Sequence, residues 1–366
     1  MQSVVSKDSL PGLAVTIVDT KGVIYKKGFG FANIQAAEPY TLKSIQPIGS
    51  VSKMILAVAL MKATELGYFT LDTDINEILP FKVINPYQPD HVITIRKLTT
   101  HTSGLLDNPI TFPNTYKFDL KRRPFSKDLM QLMKSMGYQQ KIKDSTLKEF
   151  NYNYLSTEGK YYSKDNFVNI SDSQKYVYSN IATALIAYII EIKSGTSYSA
   201  FTSEYIFKPL SMNHSSWFTA NVKLKDQARL YHNSNLIFPL YDFITYPDGG
   251  LKTNASDLSK FLVDMINGLS GRSVLLKQKS FQTMFTPQFS NQDPPKGIKL
   301  ESRNKGILWN LYTNATIGHD GDDPGVSAYI LFNPSNGLGG LFLCNKYLED
   351  KSPLVNILTQ TVTEGK

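Results

Sequence analysis

A serine and a lysine lie three residues apart at the start of an apolar helical segment. Ser50 and Lys53 begin the sequence SVSKMILAVALMKATELG, residues 50–67. Residues i and i+3 are neighbours on one helix face, about 4.5 Å apart along the axis, so the amine can reach the hydroxyl. The positive end of the helix dipole and desolvation favour a neutral amine, which can take the hydroxyl proton and activate the serine as a nucleophile. The structural alternative is that Ser50 caps the helix and Lys53 extends to water.

The Ser-x-x-Lys pattern is short, and it occurs three times, beginning at Ser50, Ser145 and Ser302. Only the first occurrence opens a long apolar helical segment. The second leads into the stretch EFNYNY, and the third runs directly into Gly306. The context of Ser50 distinguishes it, whereas the pattern alone does not.

A tyrosine and an asparagine, Tyr178 and Asn180, directly precede the second strong apolar helical segment, which ends near Gly195. A tyrosinate beside a lysine ammonium can act as a general base and later return the proton to a leaving group. The asparagine can position Lys53 and a substrate amide. The alternative is a core tyrosine followed by an asparagine that caps the helix.

The third candidate is the stretch TIGHDGDDPGVSAYI, residues 316–330, where His319-Asp320-Gly321 lie on a predicted short strand. A glycine in a strand allows a substrate backbone to approach closely, which is the role expected of Gly321. The backbone N–H groups of Ser50 and Asp322 are predicted to form an oxyanion hole together. For His319 the alternative is a loop histidine with satisfied hydrogen bonds.

Two other segments have weaker functional signals, and both are interpreted structurally. Tyr246–Gly250, with the sequence YPDGG, is predicted to be a tight turn rather than a rim of the cleft. His101, within HTSG, is expected to brace the fold rather than take part in chemistry.

Composition excludes several function classes. The chain has 366 residues, of which 42% are hydrophobic, and this is enough for a sizeable core. The net charge of +8 comes from scattered lysines and arginines, which favours a solvated surface over a nucleic-acid interface. A single cysteine permits no intramolecular disulfide, and the five histidines show no HExxH spacing.

The sequence does not decide the cellular compartment. Its first residues lack the apolar core of a signal peptide, and its longest apolar segments are too short to span a bilayer. We therefore expect no integral membrane segment, and either a cytoplasmic protein or a secreted one whose leader has been removed. The oligomeric state is not predicted.

Strand patterns lie at both ends of the chain, and helical patterns fill its middle. Residues 13–33 alternate as two strands, and residues 327–345 predict a hairpin with a turn at Asn336-Gly337. We predict an α+β fold with an antiparallel sheet built from N- and C-terminal strands, flanked by helices and interrupted by a large, mostly helical lobe.

The expected organisation is one domain over residues 1–366. A sheet lobe would comprise approximately 10–50 and 300–366, and a helical lobe approximately 51–299. Residues 105–175 have weak periodicity and are expected to form a lobe or lid over a site, but they are too irregular to indicate a substrate.

Together these motifs resemble the serine β-lactamase and penicillin-binding-protein superfamily, specifically its class C-like serine hydrolase and esterase branch. The resemblance rests on SVSK at 50–53, YSN at 178–180 and HDG at 319–321, in the family's order. It implies a β-lactamase/transpeptidase-like fold and a covalent mechanism without a metal or organic cofactor. Ser50 would form the acyl-enzyme, Lys53 and Tyr178 would share the proton transfers, and Asn180 would orient Lys53 and the substrate.

The chain departs from this family at one motif. Penicillin-recognising members have Lys-Thr-Gly where this chain has His319-Asp320-Gly321, and that lysine attracts the substrate carboxylate. With Asp322 and Asp323, three carboxylates follow His319 closely and should disfavour an anionic ligand. The sequence therefore predicts weak β-lactam turnover and a preference for esters or amides that are neutral or carry an amine.

The leading functional expectation is a serine hydrolase that acts on small-molecule or peptide acyl substrates. Esters and amides, including peptides and D-amino-acid derivatives, are the expected class. One alternative is a true class C-type β-lactamase or D,D-peptidase, and another is a non-catalytic scaffold or receptor with the same fold. The absence of GxSxG gives no support to an α/β-hydrolase.

Overall fold

The computed structural model describes residues 10–121, 126–139, 142–169 and 175–365. The strands within these ranges are β1 (Gly12–Val18), β2 (Val23–Asn33), β3 (Glu38–Pro39), β4 (Gln46–Pro47), β5 (Tyr116–Phe118), β6 (Leu230–Tyr231), β7 (Ile237–Phe238), β8 (Tyr241–Phe243), β9 (Lys252–Thr253), β10 (Arg303–Lys305), β11 (Asn310–Tyr312), β12 (Ile317–Asp323), β13 (Val326–Asn333) and β14 (Leu338–Cys344). The helices are α1 (Ser52–Glu65), α2 (Ile95–Thr99), α3 (Lys127–Ser135), α4 (Leu147–Leu155), α5 (Asn180–Ser194), α6 (Tyr198–Thr202), α7 (Ala255–Gly268), α8 (Gln278–Met284) and α9 (Ser352–Glu364).

The main sheet has eight antiparallel strands in the order β10-β11-β12-β13-β14-β1-β2-β3. β1 lies inside this sheet, where Val15 pairs with Phe342 of β14 on one side and with Lys27 of β2 on the other. The prediction that strands from both ends of the chain form one antiparallel sheet is confirmed, and so is the α+β class.

β1 is buried on both faces because helices cover both sides of the sheet. Leu13, Val15 and Ile17 belong to an apolar cluster with the buried face of α9. Ala14 and Val18 face the other way, into the main core. This explains why β1 consists almost entirely of apolar residues.

The hairpin between β13 and β14 has the predicted turn. Gly337 adopts a positive φ of 71°, a conformation that glycine tolerates without a steric cost, and the Asn336 side chain accepts the Leu338 N–H at 2.9 Å. The predicted hairpin is confirmed.

Two helices form the centre of the helical part. Almost every residue of α1 is buried, including its polar residues Ser52 and Lys53, so this helix has no solvent face along most of its length. α5 is also largely buried; the Ser179 hydroxyl caps its start, and Gly195 ends it at a φ of 70°. The start of α1 and the start of α5 lie beside β12, where the candidate residues meet.

The sequence predicted that residues 105–175 form a lobe or lid over a site. In the described part of this segment, α4 packs on α5 and β5 pairs with β8. None of these described residues lines the cleft that contains Ser50. The division into a sheet lobe and a helical lobe within one domain stays a prediction.

Candidate active site

Ser50 lies in a 3₁₀ turn, Gly49–Val51, that leads directly into α1. This turn packs against β12 so closely that two glycines are required. A Cβ on Gly49 would come within 2.6 Å of the Asp322 nitrogen, and one on Gly321 within 2.1 Å of the Ile48 oxygen and 2.9 Å of the Ser50 nitrogen. Gly321 was expected to admit a substrate backbone; in the structure it admits the turn that carries Ser50. The backbone nitrogens of Ser50 and Asp322 both lie at this contact, and the oxyanion hole that they would form stays a prediction.

The side chains of Ser50, Lys53 and Tyr178 converge. Ser50 Oγ lies 3.1 Å from Lys53 Nζ and accepts a hydrogen bond of 2.8 Å from Tyr178 Oη. The lysine amine also lies over the tyrosine ring, 5.1 Å from its centroid. The alternatives drawn from the sequence are wrong, because Lys53 is completely buried, Ser50 makes no capping bond, and Ser179 rather than Asn180 caps α5.

Lys53 Nζ has two further partners, both of which can only accept. It donates to Asn180 Oδ1 at 2.6 Å and to the Asp248 carbonyl oxygen at 2.5 Å. Asp248 ends the 3₁₀ turn Tyr246–Asp248, so the segment YPDGG is the predicted turn and also contributes a contact to the site. A place at the cleft was the interpretation that the sequence analysis set aside in favour of the turn, and both roles are present.

Asp107 binds the start of α5 through hydrogen bonds. The sequence did not predict this role. Its carboxylate accepts the backbone N–H groups of Asn180 and Ile181 and the Asn180 side-chain amide, each at 2.9 Å. A carboxylate at a helix N-terminus is stabilised by unpaired N–H groups and by the helix dipole. The partners lie 73 positions apart, so no local pattern could pair them.

Burial controls the charge of these groups. It lowers the pKa of the Lys53 amine, although nearby carboxylates of Asp248 and Asp107 oppose the shift. Burial also raises the pKa of the Tyr178 phenol well above its usual value. The resting phenol is therefore protonated, and the lysine amine is the better proton acceptor of the two. A resting tyrosinate, which the sequence analysis considered, is disfavoured.

Two buried histidines flank the Tyr178 ring. The His101 ring centroid lies 4.5 Å from that of Tyr178, and the His319 centroid lies 6.3 Å away. His101 Nδ1 accepts the Ser179 N–H at 3.3 Å, which supports the predicted bracing role. His319 Nδ1 lies 2.5 Å from the Asp320 carbonyl oxygen, so that nitrogen donates. Burial, with a contribution from the Lys305 charge, lowers the pKa of His319 to about 3, so its ring is neutral.

The three aspartates after His319 are not free negative charges, contrary to the sequence analysis. Lys351 forms ion pairs with Asp320, at 2.8 Å, and with Asp322. Asp323 accepts from the Tyr116 hydroxyl, and burial raises the pKa of its carboxyl to about 7. One lysine cannot neutralise two carboxylates, so the expected repulsion of an anionic ligand is reduced but not removed.

The cleft at Ser50 has a volume of about 400 Å³. It brings together residues from three separate parts of the chain. Its lining comprises Ser50, Tyr176, Tyr178, Asn180, Arg303, Asn310, His319, Asp320 and Asp322. Arg303 was not among the predicted site residues, since nothing in the stretch ESRNKG marks it.

Arg303 is a cation with no carboxylate partner within the described part of the chain. Its guanidinium lies 5.9 Å from the centroid of the Tyr176 ring, on the wall of the cleft. Because Lys351 already balances much of the charge of Asp320 and Asp322, Arg303 leaves the cleft wall with an uncommitted positive charge.

Within the described ranges, no helix has the length and apolar character that a membrane crossing needs. The same residues contain no cluster of three or more His, Cys, Asp or Glu side chains able to hold a metal ion.

Comparison with known proteins places this chain in a family. The family described as Beta-lactamase matches residues 1–358. Among curated relatives, protein flp of Staphylococcus aureus (strain MW2) is 21% identical over 98% of this chain, and penicillin-binding protein 4* of Bacillus subtilis (strain 168) is 23% identical over 90%. The alignments cover 64% and 68% of those two relatives, so this chain spans about two thirds of their length or slightly less.

Solved structures show the same fold. An octameric penicillin-binding-protein homologue from Pyrococcus abyssi has a TM-score of 0.75 at 24% identity, over 98% of this chain and 74% of that one. A β-lactamase/D-alanine carboxypeptidase from Yersinia pestis, complexed with citrate, has a TM-score of 0.72 at 18% identity, over 98% and 94%. These likenesses confirm the β-lactamase/transpeptidase-like architecture.

Proposed function

This chain belongs to the beta-lactamase family, and on that premise we propose that it is a serine hydrolase that forms an acyl-enzyme at Ser50 with ester or amide substrates. The observation that carries the proposal is the contact of Ser50 Oγ with both Lys53 Nζ, at 3.1 Å, and Tyr178 Oη, at 2.8 Å, in one cleft. A hydroxyl with a proton acceptor on one side and a proton donor on the other suits nucleophilic acyl transfer.

In the first step, neutral Lys53 takes the Ser50 proton while Oγ attacks the substrate carbonyl carbon. A neutral amine has two N–H groups, which match the Asn180 and Asp248 oxygens, and its lone pair is left for the Ser50 hydroxyl. The negative charge that develops on the carbonyl oxygen is stabilised by the N–H groups of Ser50 and Asp322.

In the second step, the tetrahedral adduct collapses and the leaving group departs. The Tyr178 phenol donates its proton to the leaving oxygen or nitrogen, and it recovers a proton from the Lys53 ammonium. The net transfer moves the serine proton to the leaving group and restores both side chains. Water then attacks the acyl-enzyme carbonyl while neutral Lys53 takes one of its protons. When the adduct collapses and releases the acid, that proton passes to Ser50 Oγ, directly or through Tyr178.

Arg303 supports a substrate that carries a carboxylate near the scissile bond. A guanidinium binds carboxylates through paired, charge-assisted hydrogen bonds, and this one has no competing partner among the described residues. It therefore favours a second candidate function, that of a β-lactamase or D,D-peptidase, because both substrates carry a carboxylate. This candidate is the opposite of the preference for neutral or amine-bearing substrates predicted from the sequence, and that preference stays a prediction.

The proposal is tested with a fluorophosphonate probe and intact-mass analysis. We expect a single adduct on the wild-type protein and none on Ser50→Ala. The matched control is Ser145→Ala, because Ser145 begins a second Ser-x-x-Lys pattern but hydrogen-bonds with exposed Glu149 outside the cleft; it should label like the wild type. A wild-type protein without an adduct would overturn the proposal and leave the non-catalytic scaffold.

A substrate panel separates the two candidate functions. The panel comprises neutral p-nitrophenyl acyl esters, carboxylate-bearing esters, D-alanyl-D-alanine peptides and a chromogenic β-lactam. Higher kcat/KM for the peptides or the β-lactam than for the neutral esters supports the second candidate. The reverse order supports a general esterase.

A further inference from the structure

Lys305 is a buried amine that the proposed mechanism does not use. It is completely buried at the end of β10. Among the residues that the structure describes, its Nζ donates to Asn310 Oδ1 at 2.9 Å and to the Leu308 carbonyl at 3.2 Å, and no carboxylate lies within ion-pair distance. Burying a lysine without a carboxylate partner costs free energy of folding, and a role of this amine at the site would account for that cost.

Its charge state follows from this environment. Burial, together with the positive charges of Arg303 and Lys53, lowers the pKa of Lys305 to about 7, while Asp320 acts in the opposite direction. Two acceptors match the two N–H groups of a neutral amine. Lys305 therefore gains its positive charge as the pH falls below neutrality.

The sheet register places Lys305 opposite Asn310, which lines the cleft. Lys305 pairs with Asn310 across β10 and β11, and Asn310 pairs with Gly318, the neighbour of His319, across β11 and β12. The connection after Lys305 contacts the other histidine segment, where Leu308 N–H bonds to the Thr99 carbonyl at 3.3 Å.

Both buried histidines have an unpartnered ring atom, Nε2, within the described part of the chain. His101 Nδ1 accepts a hydrogen bond, so its neutral ring carries the proton on Nε2. His319 Nδ1 donates, so its Nε2 presents a lone pair that would accept a proton if nothing opposed it. The charged and titratable groups that act electrostatically with Lys305 are Lys53, His101, Arg303, His319 and Asp320.

We propose that Lys305 is a positioning residue for acyl transfer at Ser50: its amine holds Asn310 on the cleft wall and, once charged, opposes protonation of Lys53, His101 and His319. This inference rests on the proposed function. Like charges repel strongly in a desolvated site, and the repulsion is mutual. A charged Lys305 therefore makes proton uptake by Lys53 less favourable and protects the proton acceptor from acid.

The test is the pH dependence of kcat/KM and of the fluorophosphonate labelling rate. Lys305→Gln retains donors for Asn310 and Leu308 but cannot carry a charge. We expect its acid limb to move to higher pH by roughly one unit, so that activity at pH 5.5 falls about tenfold more than in the wild type. Activity at pH 8, where Lys305 is neutral, should change little.

Asn310→Ala is the control for the contact, because it removes one acceptor of the amine and leaves a titratable lysine at position 305. It should lower kcat/KM at all pH values and move the acid limb less than Lys305→Gln does. Lys305→Met gives a second uncharged variant, and thermal melts of all three establish that they are folded.

An unshifted acid limb in folded Lys305→Gln or Lys305→Met overturns the inference, as does a uniform loss at every pH. That outcome leaves the proposed function intact when the wild type labels at Ser50. Failure of the wild type to label at any pH refutes the proposed function itself, so the two failures are distinguishable.

Discussion

Lys53 Nζ has two partners that cannot donate, the Asn180 amide oxygen and the Asp248 carbonyl oxygen. This arrangement suits different roles for Lys53 and Tyr178 in the proposed proton transfers at Ser50. The lone pair of the neutral amine faces the Ser50 hydroxyl. The Tyr178 phenol, which is protonated because it is buried, donates its hydrogen bond to the same oxygen. In the proposed mechanism, Lys53 therefore removes the proton, and Tyr178 delivers one.

The first residue-scale prediction concerns Tyr178→Phe, which removes the proton donor for the leaving group. We expect kcat/KM for an alkyl amide or alkyl ester to fall roughly 100- to 10,000-fold. A p-nitrophenyl ester should lose much less, because p-nitrophenolate leaves without being protonated. The measurement is the ratio of the two kcat/KM values in each variant.

Tyr176→Phe is the control for this experiment, because Tyr176 lines the same cleft. It should affect both substrates by a similar factor. An equal loss on both substrates in Tyr178→Phe would contradict the assignment of Tyr178 as the proton donor.

The second residue-scale prediction concerns Arg303→Gln. Loss of the guanidinium should lower kcat/KM for a carboxylate-bearing ester roughly 10-fold or more, the equivalent of about 1.5 kcal/mol for a hydrogen bond to a charged group. The matched neutral ester should change little. Equal changes for both esters would exclude a carboxylate contact at Arg303.

At the scale of elements, the site depends on the contact between the turn Gly49–Val51 and β12. This contact exists because Gly49 and Gly321 have no Cβ at positions where one would lie within 3 Å of backbone atoms. The turn and β12 each contribute one N–H group to the proposed oxyanion hole. The distance between them should therefore affect the rate of acyl transfer at Ser50 more than the stability of the fold.

Gly321→Ala tests this contact. The added Cβ would displace the turn from β12, so we expect the fluorophosphonate labelling rate to fall by roughly 100-fold or more, as for loss of an oxyanion-hole donor. Gly337→Ala is the control, because Gly337 has a positive φ of 71° in a hairpin far along β13 and β14. It should lower the free energy of unfolding by about 1–2 kcal/mol and leave labelling unchanged.

The elements also explain which parts of the structure the sequence could predict. The terminal strands, the hairpin, α1 and α5 have strong apolar patterns or a specific turn dipeptide, and these are local signals. β10 and β11 are three residues each and largely polar, so no periodicity revealed them. Arg303 and Lys305 remained hidden for the same reason, although the third Ser-x-x-Lys pattern includes Lys305.

The site residues also divide into those that a local sequence pattern predicts and those that it does not. Ser50, Lys53, Tyr178, Asn180 and the His319 segment come from short motifs, and the structure brings them together. Their supporting partners, Asp107, Asp248 and Lys351, act through contacts between distant segments, such as the 73-position separation of Asp107 and Asn180. The sequence shows the aspartates of the cleft but not Lys351, which pairs with two of them.

At the scale of the whole molecule, the hydrogen bond from Tyr116 to Asp323 joins β5 to the end of β12 in the main sheet. Burial raises the pKa of the Asp323 carboxyl to about 7, above the value of about 3.9 for an unfolded aspartate. The folded protein therefore holds a proton at this carboxyl that the unfolded chain has already lost between these pH values. The stabilisation from Asp323 is complete below pH 4 and is lost as the pH rises through 7.

We accordingly predict that Asp323→Asn raises the melting temperature at pH 8 relative to the wild type and has little effect or lowers it at pH 5. The asparagine oxygen can still accept from Tyr116, and the variant carries no charge to desolvate. Asp293→Asn, at an exposed position, should give the same small difference at both pH values. A difference between wild type and Asp323→Asn that does not vary with pH would contradict the assigned titration.

The position of β1 between β2 and β14 has a consequence for how the protein matures. During synthesis, Ser50 and Lys53 emerge from the ribosome well before β12 to β14. Until these later strands pair with β1, the Asp322 amide cannot join that of Ser50. A nascent chain that lacks these strands would thus contain the reactive side chains without the proposed oxyanion hole, so the proposed hydrolysis would begin only when β12 to β14 have joined the sheet.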